Sequence, residues 1–117
     1  MGKMSRDKGA RGERELASVL RAHGFDTHRG QQTVGAAKDK VHGTADLVGL
    51  PGIHIESKRV ETLSLYKAMA QAEADAQADE IPVVMHRRNH CEWLVIMKLD
   101  DWVKFYRESG LIEGQTL

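Results

Sequence analysis

Cysteine, long apolar runs and net charge are all scarce in this chain, and each shortage excludes something. The single cysteine, Cys91, rules out an intrachain disulfide in these 117 residues and suits a reducing compartment. No apolar stretch approaches the roughly 20 residues needed to cross a bilayer, and the basic N-terminal stretch has no apolar segment behind it, so the expected location is cytoplasmic. With no second cysteine pair, His86, His90 and Cys91 lack the ligand spacing of a structural zinc site. Internal repeats are absent as well, and the length fits one domain over residues 1–117. Hydrophobic residues make up 41% of the chain and charged ones 29%, the balance of a globular rather than a disordered protein. The net charge of zero hides an asymmetry. Residues 1–60 hold 11 Lys+Arg against 7 Asp+Glu, a balance of +4, and residues 61–117 hold 6 against 10, a balance of −4. A basic half is compatible with a polyanionic partner despite the neutral total.

What is present centres on Ala45–Val60. Two short apolar runs meet at Pro51-Gly52, a strong turn dipeptide, and so predict a β-hairpin. Strand alternation puts Ile53, Ile55 and Ser57 on one side of the second strand and His54, Glu56 and Lys58 on the other. Asp46 begins the first strand, where antiparallel pairing brings it near Glu56 and Lys58. Two carboxylates from neighbouring strands suit a hard cation such as Mg²⁺, which completes its shell with water and substrate phosphate. A lysine beside that ion can orient an attacking water and offset charge building on a phosphorane. The implied chemistry is metal-assisted phosphodiester hydrolysis; the alternative for Glu56 and Lys58 is a surface ion pair. Upstream, a helix is expected from about Ala10 to His23, with Leu16, Ala17, Val19 and Leu20 as its apolar stripe and Gly24 as its stop. Glu13 falls on the inward edge of that stripe. It either serves the helix N-terminus through the macrodipole or faces the sheet beside Asp46 and Glu56, whereas Glu15 points elsewhere.

Asp46 followed after a short turn by Glu56-Ser57-Lys58 resembles the signature of the PD-(D/E)xK nucleases. The segment Lys8-Gly9-Ala10-Arg11-Gly12-Glu13-Arg14-Glu15-Leu16 is similar to the opening helix of archaeal and phage Holliday-junction resolvases in that superfamily. The resemblance spans roughly residues 8–98, and Ala45 stands where the family signature has proline. It implies a restriction-endonuclease-like α/β fold, a mixed β-sheet flanked by helices. It also implies a metal-dependent DNA endonuclease, most specifically a Holliday-junction resolvase of phage or prophage type leaving a 5′-phosphate. In that scheme Asp46, Glu56 and the backbone carbonyl of Ser57 hold Mg²⁺, for which Mn²⁺ can substitute, while Glu13 supports the ion from the helix. Lys58 acts on the attacking water, and Gln71, on the helix after the lysine strand, leans over the site as Lys58's partner. Two coordinated cuts in a four-way junction require a homodimer.

The remaining chain supplies the surroundings. Residues 1–9 are expected to form a flexible basic arm, and Phe25–Arg29 a first strand. Residues 30–43 form a long polar loop, a length that usually signals function or disorder. Arg6, Lys8, Arg11, Arg29, Gln31, Gln32, Lys38, Lys40 and Arg59 are the candidate DNA contacts, as donors to phosphate oxygens. Archaeal relatives carry a serine important for cutting in this loop; none occurs here between Ser18 and Ser57, and Thr33 and Thr44 are the hydroxyls at hand. Residues 63–78 read as an alanine-rich helix. Ile81–His86 and Glu92–Met97 read as strands buried on both faces, and a last helix runs from a cap at Asp100-Asp101 to about Arg107. Residues 109–117 read as a tail. Apolar surface for a dimer contact lies on the alanine-rich helix or on the Trp102–Tyr106 helix.

Overall fold

A computed structural model describes residues 2–30 and 45–112, with side chains from residue 8 onward. Helix α1 spans Gly2–Ala22, strand β1 His28–Arg29, β2 Leu47–Val48, β3 Ile53–Arg59, helix α2 Leu65–Asp75, β4 Ile81–Arg87, β5 Leu94–Ile96 and helix α3 Leu99–Arg107. The polar loop, with Gln31, Gln32, Thr33, Lys38, Lys40 and Thr44, lies outside the described residues, as does the tail beyond residue 112.

Helix α1 ends where its glycine requires. Gly24 has φ +99°, its N–H donates to the Arg21 carbonyl at 2.9 Å, and the N–H of Phe25 donates to the Leu20 carbonyl at 3.1 Å. That paired closure is a Schellman stop. Because Phe25 is engaged in it, and the Thr27 N–H bonds the Phe25 carbonyl at 2.8 Å, only His28 and Arg29 remain free to pair as a strand. The expected strand over 25–29 is therefore shortened. The start of α1 differs more. Residues 2–9, expected as an arm, continue the helix: no proline intervenes before Ala10, and adding turns to a formed helix is far easier than nucleating one.

The five strands lie in the order β1-β2-β3-β4-β5. Only β3 and β4 are parallel, joined through α2; the other three pairings are antiparallel. Among the described residues, three helices and this mixed sheet make a restriction-endonuclease-like α/β fold. On one face Leu16 and Ala17 of α1 pack with Leu47, Ile55, Val83 and Met85; on the other, Ala68, Met69 and Ala72 of α2 pack on Val84. Helix α1 thus covers one side of β3 and β4 and α2 the other, with alanine prominent in both contacts. β5 corrects an expectation: it is an edge strand, not a central one, and leaves Leu94 and Val95 57% and 58% exposed. Its apolar run had the composition of a doubly covered strand, but burial is decided by what packs on it. In α3 the cap position belongs to Lys98, with Asp100 and Asp101 inside the first turn, where acids favour the helix dipole.

The approach of α1 to β3 depends on Gly12. A Cβ placed there would stand 2.5 Å from the Cβ of Arg59, a backbone-proximal atom that cannot swing aside. Gly12→Ala is expected to destabilise the protein by about 1–2 kcal/mol, the overpacking cost exceeding the gain in helix propensity. Urea denaturation measures it; an unchanged or raised midpoint contradicts the close packing.

Candidate active site

The site is assembled by the ladder between β2 and β3. Leu47 faces Ile55 across it, so the next step outward sets Asp46 against Glu56. Asp46 is held from three directions: its N–H donates to the Ile55 carbonyl at 3.0 Å, its carbonyl accepts from the Gly30 N–H at 2.8 Å, and its Oδ2 accepts from the Ser57 N–H at 2.8 Å. One carboxylate oxygen is thereby tied to the backbone of β3. Alternation on β3 places Glu56 and Lys58 on the side covered by α2. Glu56 is 3% exposed, and Lys58 Nζ stands 3.9 Å from its Oε2.

Glu13, Asp46, Glu56, Ser57, Lys58 and Gln71 line a single cleft of about 450 Å³. All six candidate catalytic and metal-binding positions are therefore brought together. Glu13 faces this cleft, but its Oε1 accepts a 2.8 Å hydrogen bond from Arg29 Nε, so Arg29, a candidate DNA contact, is paired with it here. Glu15 does point elsewhere. Its carboxylate is bound by Arg59 at 3.0 Å and by Arg87, and although partial burial pushes it upward, these two guanidinium groups hold it below the usual carboxylate range.

Burial, and then the charge of Glu56, push Asp46 up to about 7; Glu13 adds to this, while the Ser57 N–H and Lys58 oppose it. Hard carboxylate oxygens crowded until one of them holds a proton near neutrality are a donor set that fits a divalent cation. The sign of the resulting pH dependence follows. Between its ordinary value of 3.8 and about 7, folded Asp46 keeps a proton that the unfolded chain has released. The metal-free protein therefore loses stability as pH rises through that window, and the loss is complete above it. Relative to Asp46→Asn, whose amide oxygen can still accept from Ser57, the wild-type Tm in chelator is expected to fall by several degrees between about pH 5 and about pH 8. Parallel shifts in the two proteins would contradict this.

Beside the cleft, Lys8, Arg11 and Arg59 line a second groove of about 320 Å³ with Glu15, Glu61 and Asn89. Lys8 and Arg59 also border the acidic cleft, so cationic side chains run from one into the other. Arg6 belongs to α1, and its side chain is outside the described residues.

Asp46 just before β2, Glu56 and Lys58 on β3 and Glu13 on α1 thus share one cleft. Residues 4–101 match the family model described as archaeal Holliday junction resolvase (Hjc). The chain belongs to that family. It is a PD-(D/E)xK nuclease family, and the match covers the five described strands, α1 from residue 4 onward, α2 and the first residues of α3. A search of curated proteins finds no match.

Two residues near this cleft were not singled out as functional from the sequence. His54, 1% exposed, and Asp75, at the end of α2, gather with Glu56, offering one ligand atom each within 4.8 Å of one another. The only signal for His54 was its alternation with Glu56 two residues on. For Asp75 there was none, because its distance from β3 along the chain says nothing of its distance in space.

Proposed function

We propose that this protein is a divalent-metal-dependent endonuclease that resolves four-way DNA junctions as a homodimer. The observation that carries the reading is the convergence of Asp46, Glu56 and Lys58 in one cleft, with the Ser57 N–H on the Asp46 carboxylate. Asp46, Glu56 and the Ser57 carbonyl would hold Mg²⁺, or Mn²⁺ in its place, with Glu13 supporting from α1. Such an ion supplies positive charge at the phosphate and makes a bound water more acidic. The chain's own part is positional. Lys58 orients the attacking water toward phosphorus and offsets charge on the phosphorane as the P–O3′ bond breaks, leaving a 5′-phosphate and a 3′-hydroxyl. Gln71, exposed on α2 and lining the cleft beside Lys58, steadies the lysine's ammonium group. Lys8, Arg11 and Arg59 receive the backbone phosphates leading to the cleft, together with Arg29 and the loop donors Gln31, Gln32, Lys38 and Lys40.

The homodimer is supported by α3 and β5. Leu99, Trp102 and Phe105 of α3 are 72%, 49% and 46% exposed, and Trp102 stacks on Tyr106 with ring centroids 5.3 Å apart. Helix α2, in contrast, already buries Ala68, Met69 and Ala72. Of the two helices that could supply a contact, α2 exposes only Tyr66 among its large apolar side chains, whereas α3 exposes Leu99, Trp102 and Phe105. No helix among the described residues is long and apolar enough to cross a membrane, which accords with work on cytoplasmic DNA.

The deciding experiment incubates purified protein with a labelled four-way junction and a sequence-matched linear duplex, in Mg²⁺, Mn²⁺ or EDTA. Paired symmetric nicks in the junction alone, abolished by EDTA, are expected. Equal cutting of linear duplex would make the protein a nuclease without junction preference, and binding without cutting would make it a recombination accessory.

A further inference from the structure

The imidazole of His54 is unlike an ordinary buried histidine. Its side chain is 2% exposed, and both ring nitrogens face carboxylates from beyond ordinary hydrogen-bond distance. Nε2 stands 3.7 Å from Glu56 Oε1 and Nδ1 stands 3.7 Å from Glu80 Oε1, and Nε2 is a buried polar atom with no partner. An imidazolium and a carboxylate free to pair close to about 2.8 Å. Two ligands of one divalent ion, each bound at 2.0–2.2 Å, instead stand roughly 3–3.5 Å apart, a spacing much nearer the one seen. The third donor comes from the opposite layer. Asp75 ends α2, and the parallel β3-α2-β4 crossover returns it over His54.

We propose that His54, Glu56 and Asp75 form a second divalent-cation site, separate from the one at Asp46 and selective for a nitrogen-accepting ion such as Mn²⁺, Co²⁺ or Zn²⁺. An imidazole with two carboxylates favours these first-row ions over Mg²⁺, which prefers oxygen and surrenders its waters reluctantly. Glu56 is the shared element. Its Oε1 faces His54, while its Oε2 faces Lys58 and the cleft. An ion on His54 thus fixes the Glu56 carboxylate from behind while leaving the other oxygen directed at the nuclease site. The inference adds a ligand to the reading of that cleft as a nuclease, but stands on geometry that does not require cleavage.

The test is Co²⁺ binding to metal-free protein in excess Mg²⁺, followed by visible absorption and by paramagnetic shifts of the histidine ring resonances. One Co²⁺ per chain is expected, with the His54 ring strongly shifted. Asp46→Asn should retain this binding, whereas His54→Gln and Asp75→Asn should weaken it by at least about tenfold. The ring shifts are read on the wild type, so the result holds even if His54→Gln fails to fold. Unshifted His54 resonances, or equal Co²⁺ affinity in a folded His54→Gln protein, would overturn the site and leave His54 as a partner of Glu56 alone. A protein that binds Co²⁺ through His54 but cuts no junction would refute the nuclease reading and not this one; cutting without a His54 shift would do the reverse.

Discussion

Glu56→Ala is expected to lower single-turnover junction cleavage by roughly 10³-fold or more while leaving junction affinity nearly unchanged. Glu56 is the carboxylate on which the cleft converges: opposite Asp46 across the ladder, 3.9 Å from Lys58 and 3.7 Å from His54. Without it the proposed divalent ion would lose a ligand, and Lys58 would lose the charge that positions it. The phosphate contacts proposed for Lys8, Arg11 and Arg59 would be left in place, and contacts of that kind dominate affinity. Lys58→Ala should show a similar loss in rate with a different signature. Because no proposed metal ligand is removed, raising Mg²⁺ should not rescue it, whereas part of the Glu56→Ala defect should yield to higher Mn²⁺. Cleavage by Glu56→Ala at the wild-type rate would end the assignment of this cleft as the nuclease site.

Trp102→Glu combined with Phe105→Glu is expected to weaken dimerisation by at least about a hundredfold, with sedimentation equilibrium as the measure. In the free chain these rings are about half exposed on a helix whose only buried residue is Asp101. A second copy related by a two-fold axis would cover the same rings from both sides, so each carboxylate introduced meets its own symmetry mate as well as an apolar surface. The chain's fold should survive, because neither ring belongs to the clusters packed on the sheet. The functional consequence is specific: paired nicks within one binding event should give way to single, uncoordinated nicks. A double variant that stays dimeric would exclude α3 as the contact.

Much of the site was legible along the chain because its parts are close in sequence. Pro51-Gly52 joins β2 to β3 so tightly that pairing Leu47 with Ile55 leaves Asp46 facing Glu56, and a period of two then puts Lys58 on the same side. Gly24 was legible as the end of α1 because a positive φ is a local demand that glycine meets best. Where α1 begins was not, since Gly2 and Gly9 read as an arm while helix propagation from the next turns carried through them. For β5 the apolar composition was visible, but composition does not say whether a helix, solvent or another chain lies on each face.

Sequence by itself determined the hairpin, the order of acid, acid and lysine, and the family to which they belong, since turns and strand alternation are set by covalent neighbours. Only the tertiary structure decided that Asp46 would be pushed to about 7, that Arg29 would take the Glu13 carboxylate, and that Asp75 would come back over a buried His54 whose Nε2 makes no hydrogen bond. Burial and electrostatics depend on distance through space, and in a sheet with a parallel crossover that distance has no fixed relation to separation along the chain.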